Sequence, residues 1–302
     1  MRRIGLMVLL MLLQGCSSVA YLHHSWQGQR DLLSRAQPLE EVLQNPATDP
    51  QLVKRLRQAQ QIRAYASGHL QLPDNASYTR YADLPRPYAL WNLFVAELLS
   101  MDAVAHCYPF FGCIAYKGYF DQASAEEAAE HWREQGYEVY VAGIPAYSTL
   151  GWYDDPLLSS MLHWDDNYLP DDPRAQEREF VQLLLQAREQ LLALYASAAS
   201  DADKLAGKAA VFSQLRADYQ RWRDARWQGT GPYDHWFAGE LNNARLLPFG
   251  LYDQWIPAFA ELYRTSGSWP AFYQAVERLG NLSDSERTAA LLALLERGAE
   301  RS

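Results

Sequence analysis

The sequence predicts an α+β protein that is mainly helical and carries a small mixed β-sheet in its N-terminal half. Apolar residues recur at three- and four-residue steps over residues 27–72 and again after Pro173, which is the spacing of one helix face. Between these two parts lie short runs rich in β-branched and aromatic residues, the composition typical of strands. Strands grouped in one part of a chain and helices in another indicate an α+β fold.

The composition is that of a folded, acidic protein. Hydrophobic residues make up 49% of the 302 residues and aromatic residues 13%, enough to fill a large core, so a mainly disordered chain is excluded. The formal net charge is -9, and no run of Lys or Arg offers the clustered cations that phosphate groups require. Nucleic acid is therefore excluded as a partner.

The N-terminal half is expected to begin with two helices, because Pro46 and Pro50 separate two apolar-spaced runs within residues 27–72. A proline-rich, aromatic loop is predicted for residues 73–87. Four strands are then predicted, over residues 90–99, 104–108, 113–116 and 137–144.

One helix is predicted between the last two of these strands. Ser124 stands three residues before Glu127, which is the spacing of a capping box, and Gly136 stands where a glycine would end the helix. Ser124 is therefore expected to cap the N-terminus of this helix.

Residues 171–302 are expected to be helical and to share one domain with residues 16–170. Two apolar faces predict a long helical hairpin with its break near Ser200; the faces consist of Phe180, Leu184, Ala187, Leu191 and Tyr195, and of Phe212, Leu215, Tyr219 and Trp222. Two further helices carry start and stop signals, which are Ser268, Pro270 and Gly280 for one and Ser283 with Glu286 for the other.

The N-terminus has the order of a signal peptide, with residues 1–15 as the removed segment. Two arginines precede an apolar stretch over residues 4–13, which is too short for a transmembrane helix of about 20 residues. Leu-Gln-Gly before Cys16 resembles a bacterial lipobox. This resemblance implies that Cys16 is lipidated and anchors the protein at the periplasmic face of a membrane, and the lack of Asp after it favours the outer membrane. A short buried N-terminal helix is the alternative.

The other two cysteines are expected to form a disulfide. The periplasm is oxidising, and Cys107 and Cys113 are separated by a short segment in which Pro109 and Gly112 allow the chain to turn. Closing so short a loop stabilises a fold by about 2 kcal/mol. A metal-binding or redox pair is the alternative, although the C-x-x-C spacing is absent and only His106 stands beside the pair.

One family resemblance extends over nearly the whole chain after the signal. The segments that carry it are residues 75–83, 86–94, 107–119, 137–152, 233–237 and 241–244, with 143–152 the most specific part. They resemble predicted bacterial aminopeptidases, which are zincin-like lipoproteins of the bacterial envelope. The resemblance implies a zincin-like fold and zinc-dependent peptide hydrolysis, in which an H-E-x-x-H helix supplies two histidine ligands and the general base, and a later glutamate completes the site.

The sequence lacks this zinc motif. The seven histidines are His23, His24, His69, His106, His131, His163 and His235, and no two stand four residues apart. The family's zinc helix would follow residues 155–164, but residues 165–173 lead directly into the helical hairpin. Without two histidines and a carboxylate at an open position, nothing lowers the pKa of a water toward about 7. We therefore assign no catalytic residue and expect no cofactor, with zinc implied only if the family activity is retained.

A replacement metal site would have to use other donors. Its candidates are His163, Asp165, Asp166 and His235, with Asp234 as a substitute for the last. Four other histidines are expected in ordinary positions: His106 at a strand end, His131 on a helix surface, and His23 and His24 in a flexible tether.

The family resemblance implies a substrate cleft beside the run that follows the last predicted strand. We interpret residues 147–152 as a strand edge, to which an extended peptide could add through backbone hydrogen bonds; a strand without a ligand is the alternative. The cleft candidates are Gly143, Pro145, Tyr147, Ser148, Thr149, Gly151, Trp152, Asn242 and Asn243. The two asparagines either hold a peptide terminus or cap a helix.

Two functions remain as hypotheses. The preferred one is a lipid-anchored module that binds peptides or envelope components without cleaving them, because the metal motif is absent. The alternative is an active metal-dependent aminopeptidase that works through unidentified ligands or in a longer form of the chain. A third interpretation is a decayed product that folds poorly, because loss of a central helix exposes the apolar surface of its neighbours.

Overall fold

The computed structural model describes residues 21–108, 112–149, 151–162 and 173–300. Its strands are β1 (Ala36–Pro38), β2 (Arg80–Ala82), β3 (Leu90–Ala96), β4 (His106–Tyr108), β5 (Gly112–Ile114), β6 (Lys117–Tyr119), β7 (Glu138–Ile144) and β8 (Leu157–Leu158). Its helices are α1 (residues 21–34), α2 (Leu39–Gln44), α3 (Pro50–Gly68), α4 (Gln122–Glu134), α5 (Pro173–Ala196), α6 (Asp201–Trp227), α7 (Asp234–Ala238), α8 (Asn243–Leu251), α9 (Ile256–Ser266), α10 (Trp269–Gly280) and α11 (Asp284–Ala299). This composition confirms the prediction of a mainly helical α+β protein.

The described strands form three small sheets. β3 is the central strand of the first, whose order is β6-β3-β7 and whose pairings are both antiparallel. β2 pairs with β1 antiparallel and with β8 in parallel, and β4 and β5 form a hairpin. Every residue of β3 is buried, as its continuous apolar composition indicates for a central strand.

The β6-β3-β7 sheet lies between two helices. α4 covers one face, where Ala125 and Ala129 belong to the same buried cluster as Trp91 of β3. α8 covers the other face, where Leu247 packs in a cluster with Phe94. Because α4 and α8 cover the two faces, the outer edge is the side of β7 that the described part of the chain leaves open.

The predicted helical hairpin is confirmed. α5 and α6 share a buried cluster to which Phe180, Leu184, Phe212 and Tyr219 contribute. Ser200 caps α6 by accepting a hydrogen bond from the N–H of Asp203 at 3.2 Å. Serine favours the start of α6 at this position, because its hydroxyl accepts a hydrogen bond from an N–H that has no partner inside the helix.

The predicted ends of the last two helices are also confirmed. Ser268 is the N-cap of α10, Pro270 lies in its first turn and Gly280 is its last residue. Ser283 and Glu286 form a capping box at the start of α11. These ends are local features, because each depends on residues within four positions of one another.

The start of α4 differs from the prediction. Asp121, not Ser124, is the N-cap, and its carboxylate accepts the N–H of Ser124 at 2.7 Å. A carboxylate at this position also interacts favourably with the positive end of the helix dipole, so the helix begins one turn earlier. The predicted end is confirmed, because Gly136, with φ 85, follows the C-cap.

The N-terminal helices contain a break that the sequence analysis did not predict. β1 separates α1 from α2, and Pro38 is the N-cap of α2. The expectation of a flexible tether at His23 and His24 is wrong, because both lie in α1. The ring of His24 accepts a hydrogen bond from the N–H of Phe120 at 3.2 Å, which fastens α1 to the sheet region.

Cys107 and Cys113 are joined by a disulfide across the β4–β5 hairpin, where they stand directly opposite each other. His106 begins β4, and burial lowers the pKa of its imidazole. Its ring lies against Trp132 of α4, with 6.1 Å between the ring centroids. The hairpin is thereby attached to the helix that covers the sheet.

Candidate functional site

The outer edge of β7 exposes alternate backbone groups. On the far side of β3, the carbonyl of Val95 accepts the N–H of Val104 at 2.9 Å, so the backbone groups of Val95 point away from β7. Val139 stands opposite Val95 and therefore belongs to a non-hydrogen-bonded pair, whose N–H and C=O groups point outward. The antiparallel alternation gives Val141 and Gly143 the same outward direction.

Part of this edge is free in the described portion of the chain. The carbonyl of Val139 accepts a hydrogen bond from Nδ2 of Asn242 at 3.2 Å. Within the described ranges, the outward N–H and C=O groups of Val141 and Gly143 have no such partner. These two residues thus present two donors and two acceptors in the arrangement that an added strand requires.

A groove with a volume of about 820 Å³ runs along this edge. α4 forms one wall, with Glu126 and Arg133, and the segment from α7 to α8 forms the other, with Trp236 and Arg245. Gly143 is required by close packing, because a Cβ at this position would overlap the ring of Tyr88. The groove is hereafter called the edge groove.

Arg245 occupies the α8 wall of the edge groove. Its guanidinium carbon lies 4.8 Å from the ring centroids of both Tyr140 and Trp236. It donates hydrogen bonds to the carbonyls of Trp236 and Glu240, the second at 3.3 Å. Burial lowers the pKa of this guanidinium, but an arginine remains charged at any physiological pH. A fixed positive charge therefore stands beside the open strand edge.

A buried polar network attaches this wall to the sheet. The carboxylate of Glu138, the first residue of β7, accepts the backbone N–H of Asn243 at 2.7 Å and pairs with the buried Lys208 of α6. The Asn243 side chain accepts the hydroxyl of Tyr195 at 2.8 Å. Its amide nitrogen donates to the carbonyls of Glu97, Leu98 and Ser100. Four elements therefore meet at Asn243, next to the groove.

A second, apolar cleft of about 730 Å³ lies between α3 and two later segments of the chain. Its apolar lining includes Ile62, Leu72 and Tyr78, and Ser148 and Gly151 lie at its margin. Two of the predicted cleft residues therefore belong to this cleft and not to the edge groove.

The expectation of a strand edge over residues 147–152 is wrong. The chain leaves the sheet after Ile144, where Pro145 has no N–H to donate, and the Pro145 carbonyl accepts the hydroxyl of Ser160 at 2.6 Å. Thr149 instead closes a loop, since its N–H and its hydroxyl both donate to the carboxylate of Asp155, at 3.0 and 2.8 Å.

Tyr147 and Trp152 of the same run have opposite surroundings. The hydroxyl of Tyr147 donates to the side chain of Gln29, its ring packs edge-on against Phe120, and burial raises the pKa of its hydroxyl. Trp152 is 75% exposed. Neither lines the edge groove.

The two candidate asparagines also separate. Asn242 is the N-cap of α8, where its side chain accepts the N–H of Arg245 at 3.0 Å, and it also lines the edge groove. Asn243 is fully buried in the polar network. Of the predicted cleft residues, Gly143 and Asn242 are the two that the structure brings together in this groove.

One protein family matches the chain. The sequence model of the family described as "Putative aminopeptidase" matches residues 20–172 and 169–291. The chain belongs to this family. No protein of curated function and no solved structure matches it. In the described ranges, no helix combines the length and the apolar character needed to cross a bilayer.

The aminopeptidase family resemblance implies zinc, and the described residues do not fit it. Within those ranges, no three His, Cys, Asp or Glu side chains come together as ligands. His235 lies in α7 at the edge groove, whereas Cys16, His163, Asp165 and Asp166 lie outside the described residues. We therefore derive no catalytic step through a metal ion.

Sequence reasoning missed Arg245 and its two aromatic neighbours. Tyr140 and Trp236 each lie in a segment that carries the aminopeptidase resemblance, and Arg245 follows the last such segment directly. Their position in or directly after these segments therefore could have marked the three residues as site candidates. The contact between them could not have been predicted, because it depends on the packing of α8 against the sheet.

Proposed function

We propose that this aminopeptidase-family protein binds peptides or extended segments of envelope components along β7 without cleaving them, while lipid on Cys16 anchors it at the periplasmic face of the outer membrane. The observation that carries the binding function is the open outer edge of β7 inside the edge groove. The lipobox-like sequence before Cys16 supports the anchor.

Binding at this edge would use the backbone of the ligand. An extended chain beside β7 donates to the carbonyls of Val141 and Gly143 and accepts their N–H groups. Each such bond contributes about 1 kcal/mol net, and the ordering of a flexible peptide offsets part of the total. The walls formed by α4 and α8 reduce competition from water along the added strand.

Two observations support binding without cleavage. The sequence contains no H-E-x-x-H motif. The family match is divided into two parts that meet at residues 169–172, next to the place where the resemblance puts the zinc helix. Each agrees with a function that needs no metal-activated water.

We expect the full mature protein to bind extended peptides and to leave them intact after long incubation with zinc. Peptides methylated on alternate backbone nitrogens should bind at least about tenfold more weakly, since each methyl removes a donor of about 1 kcal/mol and obstructs pairing. Binding is measured by fluorescence anisotropy and integrity by mass spectrometry. Release of N-terminal residues that stops with chelator and returns with zinc would contradict the proposal.

Peptide hydrolysis is the second candidate function, and membership of the aminopeptidase family favours it. The zinc content of the folded protein, purified without chelator and re-equilibrated with zinc, separates the two functions. A content near one zinc per chain would support hydrolysis. The residues to mutate next would then be His163, Asp165, Asp166 and His235. A well-folded protein without zinc would support binding alone.

A further inference from the structure

We propose that Arg245 makes the edge groove selective for extended chains that carry a carboxylate close to the paired residues. This inference rests on the proposed peptide binding and adds a chemical class of ligand to it. The carboxylate belongs either to an Asp or Glu side chain or to the C-terminus of the bound chain.

The first observation is a guanidinium with unused donors. Arg245 takes part in none of the ion pairs found among the described residues. Its two hydrogen bonds go to neutral carbonyls, and its Nε is buried without a partner in the described chain. An arginine has five N–H donors and prefers carboxylate oxygens, which it binds in pairs.

The carboxylates nearest to the groove do not neutralise this charge. Glu126 pairs with Arg133 on the opposite wall, at 3.6 Å, and Glu138 is engaged by Lys208 and Asn243. Glu240 accepts from Arg245 through its backbone carbonyl. None of these carboxylates forms an ion pair with Arg245 among the described residues, so its guanidinium keeps donors for a ligand carboxylate.

A second cation strengthens the positive potential. Arg216 of α6 donates to the carbonyls of Phe237 and Gly239, in the same loop that Arg245 contacts, and it joins no ion pair among the residues described. Burial is the main cause of the lowered pKa of Arg245, and the charge of Arg216 acts in the same direction. Two guanidinium groups thus contact one loop, and neither forms an ion pair with a carboxylate among the described residues.

Strand geometry directs a ligand side chain toward this charge. Side chains of paired residues lie on the same face of a sheet, so a ligand residue opposite Tyr140 points toward the face that α8 covers. Arg245 lies against Tyr140 on that face. A carboxylate at this ligand position would meet the guanidinium in a partly buried setting, where charged hydrogen bonds are stronger than in water.

The test compares ligands that differ only in one charge. Extended peptides with Glu or with Gln at successive positions, each as C-terminal acid and amide, are titrated into the full mature protein. We expect at least one Glu peptide or one C-terminal acid to bind about tenfold more tightly than its neutral counterpart. An effect of Glu against Gln assigns the carboxylate to a side chain, and an effect of acid against amide assigns it to the C-terminus. Arg245→Gln should abolish this preference and Arg245→Lys should keep part of it.

Arg133→Gln is the matched control, because Arg133 lies on the opposite wall and already has acidic partners. It should keep the carboxylate preference, and circular dichroism verifies the fold of each variant. Equal affinity for charged and neutral peptides, or a preference that survives in Arg245→Gln, would overturn the inference while leaving peptide binding intact. Absence of any peptide binding by the wild type would overturn both.

Discussion

Asn243→Ala is expected to lower the free energy of unfolding by about 4 kcal/mol, because the chain loses a fully buried side chain that makes four hydrogen bonds. Asn243 is fully buried, and its amide nitrogen donates to three carbonyls while its oxygen accepts the hydroxyl of Tyr195. Alanine removes these four hydrogen bonds, although the Leu98 carbonyl still accepts from Lys208, and it opens a small cavity. Denaturant titration followed by circular dichroism measures the change.

Asn281→Ala provides the control for the same substitution. Asn281 is an exposed residue at the C-terminus of α10, so we expect a change within about 0.5 kcal/mol. A similar, small effect of both substitutions would show that the buried network contributes little to stability.

Val141→Pro is expected to reduce peptide affinity at least about tenfold while the protein stays folded. The N–H of Val141 points outward and is not used in pairing with β3, and proline is tolerated in an edge strand when its missing N–H would face solvent. The substitution removes one donor to the ligand, worth about 1 kcal/mol, and its ring obstructs the approach of the ligand backbone. Anisotropy titration with one labelled peptide measures the affinity.

Val141→Ala is the matched variant for this test. It truncates the valine side chain but keeps the N–H, so its peptide affinity should remain within about threefold of the wild-type value. Equal losses in the two variants would assign the effect to side-chain packing. An unchanged affinity in the folded proline variant would place the peptide elsewhere.

Local signals in the sequence were sufficient for many helix ends and for the long strands. Ser268 and Ser283 cap helices through neighbours a few residues away. The sequence does not predict β1, β2, β6 or β8, because these strands are two or three residues long and pair with distant residues, as Ala82 does with Ala36 and Leu158. A run of three residues is too short to show the alternating pattern of a strand, and it does not indicate which distant strand it pairs with.

The candidate site could be predicted only in part. The idea of an added peptide strand came from the sequence, but it was placed on residues 147–152, where Pro145 takes the chain out of the sheet. The open edge lies just before this run, in β7. Which strand forms the edge of a sheet depends on strand order, and that order follows from long-range pairing that local composition does not encode.

Amide hydrogen exchange of β7, resolved by residue with NMR, tests the binding claim most directly. The outward N–H groups of Val141 and Gly143 should exchange faster than the inward N–H groups of Tyr140 and Ala142 in the free protein, because only the inward groups are bonded to β3. Addition of saturating peptide should slow exchange at Val141 and Gly143 at least about tenfold and leave Tyr140 and Ala142 nearly unchanged. Peptide binding without new protection at the two outward amides would contradict strand addition at this edge.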